Sequence, residues 1–76
     1  MLDKIKAVLV ESVNADENLI TPEASLKEDL GLDSLEALEL SMELETEFDI
    51  TIEDEELEAL ITVQDIMDLI AKKQAE

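Results

Sequence analysis

The residues from 31 to 48 read GLDSLEALELSMELETEF and decide the fold. Gly31, the single glycine of the chain, marks the end of the loop that precedes the stretch. Asp33 and Glu36 stand three residues apart, the spacing of a capping box, in which each side chain accepts a hydrogen bond from the other residue's backbone N–H. The stretch therefore predicts a helix that is capped by Asp33, holds Ser34 in its first turn and ends near residue 48.

Successive side chains of an α-helix are rotated by about 100° around its axis. With this rotation, the predicted helix carries two apolar stripes and one acidic edge. The stripe assigned to the core consists of Ala37, Leu40, Leu44 and Phe48. On roughly the opposite side, a second apolar stripe consists of Leu35, Leu38 and Met42. Along one edge between the two stripes lie Glu36, Glu39, Glu43 and Glu47.

The acidic edge has two interpretations. Residues 28–71 contain 16 acids and no base, so the edge could be an ordinary solvated surface, with the second apolar stripe covered by the preceding loop. Alternatively, an apolar patch rimmed with acids is typical of a docking surface for a basic, partly apolar partner. Met42 favours docking, since methionine repacks easily against different partners. We therefore expect a docking surface.

The remaining chain predicts three further helices and no strand. An apolar pattern at steps of three and four predicts a first helix of about four turns that frays near Asn14–Ala15. Thr51 opens a short third helix that ends near Leu60, and Thr62 with Asp65 three residues later caps a fourth helix. The fourth helix should bury Val63, Ile66, Met67 and Ile70. The long loop before residue 33 should be pinned to the core by Leu19, Ile20, Leu26, Leu30 and Leu32.

Together these patterns predict an all-α protein, a four-helix bundle of three longer helices and one short helix with a long first loop, in a single domain of residues 1–76. Hydrophobic residues make up 46% of the chain, enough for a compact core. The chain has no cysteine and no histidine, which excludes disulfides and Cys/His zinc sites.

The charge of the chain restricts its partners. Twenty-two acids against five basic residues give a net charge of −17, which argues against nucleic-acid binding and against an anionic membrane surface. A partner with a basic patch fits that charge. The longest apolar run, Ala7–Val10, is too short for a membrane span or a signal peptide, so we expect a cytoplasmic or organelle-matrix location.

Ser34 is the serine with the most distinctive position. It follows a glycine-containing turn and lies just inside a helix N-terminus, where a phosphate ester would meet free backbone N–H groups and the positive end of the helix dipole. Serine is also common near helix starts without any further role. From its position alone, an ordinary first-turn serine is the better interpretation of Ser34.

The stretch Gly31-Leu32-Asp33-Ser34-Leu35 resembles the acyl carrier protein family, whose attachment motif is an Asp-Ser-Leu at the start of the second helix. The similarity continues through the residues after it and into the predicted third and fourth helices, and spans essentially all 76 residues. The residues that carry it are Glu36, Glu39, Leu40, Met42, Leu44, Glu45, Glu47-Phe48, Ile52, Asp54-Glu55-Glu56 and Thr62-Val63-Gln64-Asp65.

The resemblance implies a role for individual residues. Ser34 matches the serine that is esterified by 4′-phosphopantetheine, and Asp33 matches the neighbouring acid that helps the transferase to hold its divalent metal. The positions at which members of the family contact partner enzymes correspond in this sequence to Leu35, Glu36, Glu39, Met42, Glu43, Glu47, Asp54 and Glu55. The chain departs from the family pattern at Glu53, Leu57 and Leu69, and Leu57 could narrow the acyl pocket.

The resemblance also implies a carrier with no catalytic residue and no metal site of its own. An enzyme would need a base beside Ser34, and the chain has no histidine and no lysine near it in sequence. An acidic interaction protein is a third class, but no EF-hand loop occurs. Among carriers, we expect a monomer that serves a phosphopantetheinyl transferase and fatty acid synthesis enzymes with basic patches. A carrier of polyketide or aminoacyl groups, such as D-alanyl, is the alternative.

Overall fold

A computed structural model describes residues 2–75 and contains four α-helices in this range. The helices are α1 (Leu2–Val13), α2 (Ser34–Phe48), α3 (Asp54–Glu58) and α4 (Val63–Ala75), and a short 3₁₀ helix (Glu17–Leu19) lies in the first loop. This confirms the all-α prediction of three longer helices, one short helix and a long first loop. Residues 1 and 76, the ends of the predicted domain, lie outside the described residues.

The core is aliphatic and lies between α1, α2, α4 and the long loop. The buried hydrophobic residues of the three long helices are Ile5, Val8, Leu9, Leu40, Leu44, Val63, Ile66 and Ile70. Phe48 packs against this cluster at its edge, with the Lys4 ammonium 5.7 Å from the centre of its ring. No helix within residues 2–75 is both long and apolar enough to cross a membrane.

The long loop is pinned to the core, as predicted, by Ile20, Leu26 and Leu32, which are buried. Leu30 is partly buried against the same cluster. The prediction for Leu19 is wrong, because the 3₁₀ turn brings Ile20 into the core and leaves Leu19 half exposed.

Backbone hydrogen bonds join this loop to the turn between α3 and α4. The Leu26 N–H donates to the Ile61 carbonyl at 2.9 Å, and the Val63 N–H donates to the Ala24 carbonyl at 3.1 Å. The loop thereby forms a wall beside α2 and α3.

The third helix begins later than predicted. Residues 51–53 carry no helix, and α3 begins at Asp54 instead of Thr51. The reason is that the Ile52 N–H donates to the Glu45 carboxylate of α2 at 2.9 Å, which holds this segment outside a helix. At the actual start, the Glu53 N–H donates to Glu56 Oε1 at 3.0 Å.

The start of α4 agrees with the prediction. The Asp65 N–H donates to Thr62 Oγ1 at 3.2 Å, while Asp65 Oδ2 accepts from the Thr62 N–H at 3.0 Å and from the Ile61 N–H at 2.9 Å. These backbone donors lower the pKa of Asp65, the Thr62 N–H most strongly, because they stabilise its carboxylate.

Candidate functional site

The start of α2 is fixed by the predicted capping box. Asp33 Oδ1 accepts from the Glu36 N–H at 2.8 Å, and Glu36 Oε1 accepts from the Asp33 N–H at a longer 3.4 Å. Gly31, at φ 69°, has the left-handed backbone that residues with a Cβ rarely adopt, and it turns the chain into the cap. The cap places Ser34 as the first residue of the helix.

Ser34 is exposed, and its hydroxyl makes no hydrogen bond within residues 2–75. Its backbone N–H and that of Leu35 have no partner in the same range, as is normal for the first turn of a helix. The chain has no histidine that could activate this hydroxyl. Ser34 is therefore accessible to another enzyme's active site but is not arranged as a nucleophile of this chain.

An apolar cavity of about 360 Å³ lies beside Ser34, between α2, α3 and the long loop. It extends from exposed Ser34 to buried Leu40 and Leu44, so it leads from the surface into the core. Its volume is at the lower end of the range for small-molecule sites. Its walls are formed by Ser25, Leu26, Lys27, Leu32, Asp33, Ser34, Ala37, Leu40, Ser41, Leu44, Leu57, Glu58, Leu60 and Ile61.

The second apolar stripe of α2 is open to solvent. Leu35 is 63% exposed, Leu38 44% and Met42 50%. The alternative in which the long loop covers this stripe is therefore wrong. With about 100° per residue, the stripe adjoins Ser34 on one side and the acidic edge on the other.

The predicted partner-binding acids have different environments. Glu39, Glu43 and Glu47 are exposed along α2. Glu36 is half-buried, since its carboxylate also serves the helix cap. In the first turn of α3, Asp54 and Glu55 are exposed as well. Within residues 2–75 no group of acids is arranged to hold a metal ion.

Several residues that line the cavity were not assigned to a site from the sequence, among them Ile61 and Ser41. Ile61, in the turn before α4, is 65% exposed and lines the cavity, and nothing in the sequence marks it. Ser41 is buried in the cavity wall. A signal for Ser41 was present, because it lies seven residues after Ser34 and hence on the same face of α2.

Comparison with known proteins gives consistent matches. Residues 3–70 match the protein family described as "Phosphopantetheine attachment site". The chain is 48% identical to the acyl carrier protein of Thermosynechococcus vestitus over 75 residues, covering 99% of this chain and 93% of that protein. It is 50% identical to the acyl carrier protein of Karelsulcia muelleri over 72 residues, with 95% and 87% coverage. The acyl carrier protein of Petrotoga mobilis is 42% identical over 73 residues, with 96% and 86% coverage.

Proposed function

Since the chain belongs to the acyl carrier protein family, we propose that Ser34 is the residue that bears its 4′-phosphopantetheine group. The family consists of carriers and not of catalysts, so this chain delivers acyl groups to enzymes and performs no reaction itself. The observation that carries the assignment is the position of Ser34, exposed at the capped start of α2 and at the edge of an apolar cavity.

The residues around Ser34 fit a phosphate ester. The unpaired N–H groups of the first turn and the positive end of the α2 dipole would stabilise its negative charge. Asp33 uses Oδ1 in the helix cap, while Oδ2 makes no hydrogen bond within residues 2–75 and remains available to a metal held by the transferase. The phosphopantetheine group supplies the thiol that a thioester needs, which this cysteine-free chain lacks.

The cavity beside Ser34 would hold the acyl chain. Its buried walls at Leu40 and Leu44 are aliphatic, so an alkyl chain would be transferred from water to an apolar surface. Leu57 of α3 also lines the cavity and would limit its width. Sequestration would also protect the thioester from water while the protein travels between enzymes.

The exposed stripe and the acidic edge of α2 form the proposed docking surface, which is made up of Leu35, Glu36, Leu38, Glu39, Met42, Glu43 and Glu47. Acids at the rim attract a basic partner and set its orientation, while the apolar stripe supplies contact area. Asp54 and Glu55 of α3 extend the negative charge. The surface adjoins Ser34, so a docked enzyme would meet the arm where it leaves the protein. Its partners are a phosphopantetheinyl transferase and fatty acid synthesis enzymes with basic patches.

We place this carrier in fatty acid synthesis, as a monomeric, single-domain protein of the cytoplasm. The family membership and the many acids beside Ser34 support this choice over D-alanyl or polyketide transfer. The test is to load the protein with phosphopantetheine and offer it separately to a malonyl transferase of fatty acid synthesis with malonyl-CoA and to a D-alanyl ligase with D-alanine and ATP. Intact mass should show one malonyl group and no D-alanyl group. The reverse result would assign the chain to aminoacyl transfer.

A further inference from the structure

Ser41 stands out among the residues that line the cavity. It is 5% exposed, and it is the one buried polar or charged residue within residues 2–75. Its neighbours on the buried wall, Leu40 and Leu44, are purely aliphatic. The interior part of the cavity therefore contains a single hydroxyl group in an otherwise apolar surface.

The hydrogen bonding of Ser41 determines what this hydroxyl can offer to a ligand. Ser41 Oγ donates its proton to the Leu38 carbonyl at 2.7 Å. A serine hydroxyl has one donor and two acceptor lone pairs, so its donor is used and its acceptor capacity remains. At Ser41 the buried part of the cavity wall thus offers a hydrogen-bond acceptor and no spare donor.

A purely structural explanation of Ser41 is that serine in a helix often bonds to a carbonyl of the preceding turn. Ser12 does so on α1, where its Oγ donates to the Val8 carbonyl at 2.6 Å. Ser12 is only partly buried and does not line the cavity beside Ser34. Ser41 differs because it lines the cavity, about 10 Å along the helix axis from Ser34 at a rise of about 1.5 Å per residue.

We propose that Ser41 favours the binding in this cavity of acyl chains that carry a hydroxyl group, because its Oγ accepts a hydrogen bond from that group. The proposal rests on the proposed function, in which the acyl chain enters this cavity. A hydroxyl group buried among aliphatic side chains without a partner is costly, and Ser41 Oγ accepts its hydrogen bond. A keto group gains less binding free energy, since it has no proton to donate. To donate to it, Ser41 would first have to break its hydrogen bond to the Leu38 carbonyl. A saturated chain needs no partner at all.

The experiment measures how well the cavity shelters different chains. A promiscuous phosphopantetheinyl transferase loads the protein from octanoyl-, 3-hydroxyoctanoyl- or 8-hydroxyoctanoyl-CoA. Hydroxylamine then cleaves each thioester, both on the protein and in the same acyl-CoA free in solution. The protection factor is the cleavage rate of the free acyl-CoA divided by the cleavage rate of the protein-bound thioester. The resulting protection factor removes intrinsic differences in thioester reactivity. The two hydroxylated chains probe both ends of the cavity.

The comparison uses Ser41→Ala, which removes the hydroxyl, and Ser41→Thr, which retains it. For at least one hydroxylated chain, the ratio of its protection factor to that of octanoyl should fall about three- to tenfold in Ser41→Ala. Ser41→Thr should restore most of the ratio, and Ser12→Ala, the matched control outside the cavity, should leave it unchanged.

Three results would overturn the inference. If octanoyl is protected but Ser41→Ala changes neither ratio, the role of Ser41 is disproved while the proposed function stands. If Ser12→Ala lowers the ratio as much as Ser41→Ala, the effect is a general loss of helix stability. If the wild-type protein is loaded and protects no chain, neither the sheltering role of the cavity nor that of Ser41 holds.

Discussion

Lys73 Nζ of α4 lies 2.8 Å from Glu56 Oε1 of α3, the one ion pair within residues 2–75. It connects the last turn of α4 to a five-residue helix that has no buried residue. The hydrogen bond from Lys73, followed by that from the Glu53 N–H, lowers the pKa of Glu56. Leu57, in the same helix as Glu56, lines the cavity, so we expect this contact to help to hold that wall in place.

Breaking this contact should loosen α3. Lys73→Gln should speed hydrogen exchange at the α3 amides, for example those of Leu57 and Ala59, because the helix has few other attachments. Lys72→Gln is the matched control, since it removes the same charge from the neighbouring residue without the direct contact to Glu56. Native-state hydrogen exchange by NMR measures both variants at neutral pH. Equal acceleration in the two would mean that net charge, and not the ion pair, controls α3.

The stability contributed by Asp65 should depend on pH. Its pKa is lowered below the ordinary 3.8 in the folded protein, so the carboxylate stabilises the fold above about pH 4 and the contribution is lost as pH falls through the folded pKa. At pH 7 Asp65→Ala should cost about 1 kcal/mol, the usual value of a helix cap. Glu23→Ala, an exposed loop residue, controls for the lost charge. Denaturant unfolding at several pH values should show the difference between Asp65→Ala and wild type shrinking below pH 4. A difference that stays constant with pH would contradict the role of the carboxylate.

Screening of the acidic side chains by salt should stabilise the fold. Folding concentrates the 16 acids of residues 28–71, which have no base among them in sequence, and their repulsion opposes folding. Added NaCl or millimolar Mg²⁺ should therefore raise the melting temperature, by screening and by loose binding of cations. Thermal unfolding followed by circular dichroism measures the change. An unchanged melting temperature would show that repulsion is not a major cost.

Charge reversal on α2 should weaken docking. Glu39→Lys and Glu43→Lys should each reduce affinity for a fatty acid synthesis enzyme, because rim charges govern encounter and orientation. Met42→Ala should also weaken binding but leave the salt dependence nearly unchanged, since it removes only apolar contact. Wild-type affinity should fall steeply as ionic strength rises.

The control for docking is Glu11→Lys, which makes the same charge change at an exposed position of α1. It should affect affinity far less than the α2 variants. Calorimetry and melting temperature are measured on the same proteins. Unchanged affinity together with a raised melting temperature in the α2 variants would mean that the acidic edge is only a solvated surface.

Local patterns in the sequence predicted the parts of the fold that depend on near neighbours. The cap of α2 by Asp33 and Glu36 and the cap of α4 by Thr62 and Asp65 each join residues three positions apart, so the sequence contains both partners. The buried face of α2 at Leu40 and Leu44 likewise follows from the helical period.

Features that depend on distant contacts were not predictable in the same way. The start of α3 was misplaced because Ile52 is held by Glu45 of another helix. Leu19 was assigned to the core because hydrophobicity alone cannot show which way a loop turns. The cavity at Ser34 forms only when α2, α3 and the loop come together, so neither its volume nor the exposure of Ile61 could be read from the sequence. The roles of Ser34 and of the docking residues stay predictions.

The attachment of phosphopantetheine to Ser34 is tested most directly by intact mass spectrometry. The unmodified wild type and its Ser34→Ala variant are incubated with coenzyme A and a promiscuous phosphopantetheinyl transferase, and Ser41→Ala serves as a matched serine control. Wild type and Ser41→Ala should each gain one phosphopantetheinyl group, and Ser34→Ala should gain none. A modified Ser34→Ala variant, or an unmodified wild type under conditions that load a known carrier, would contradict the assignment.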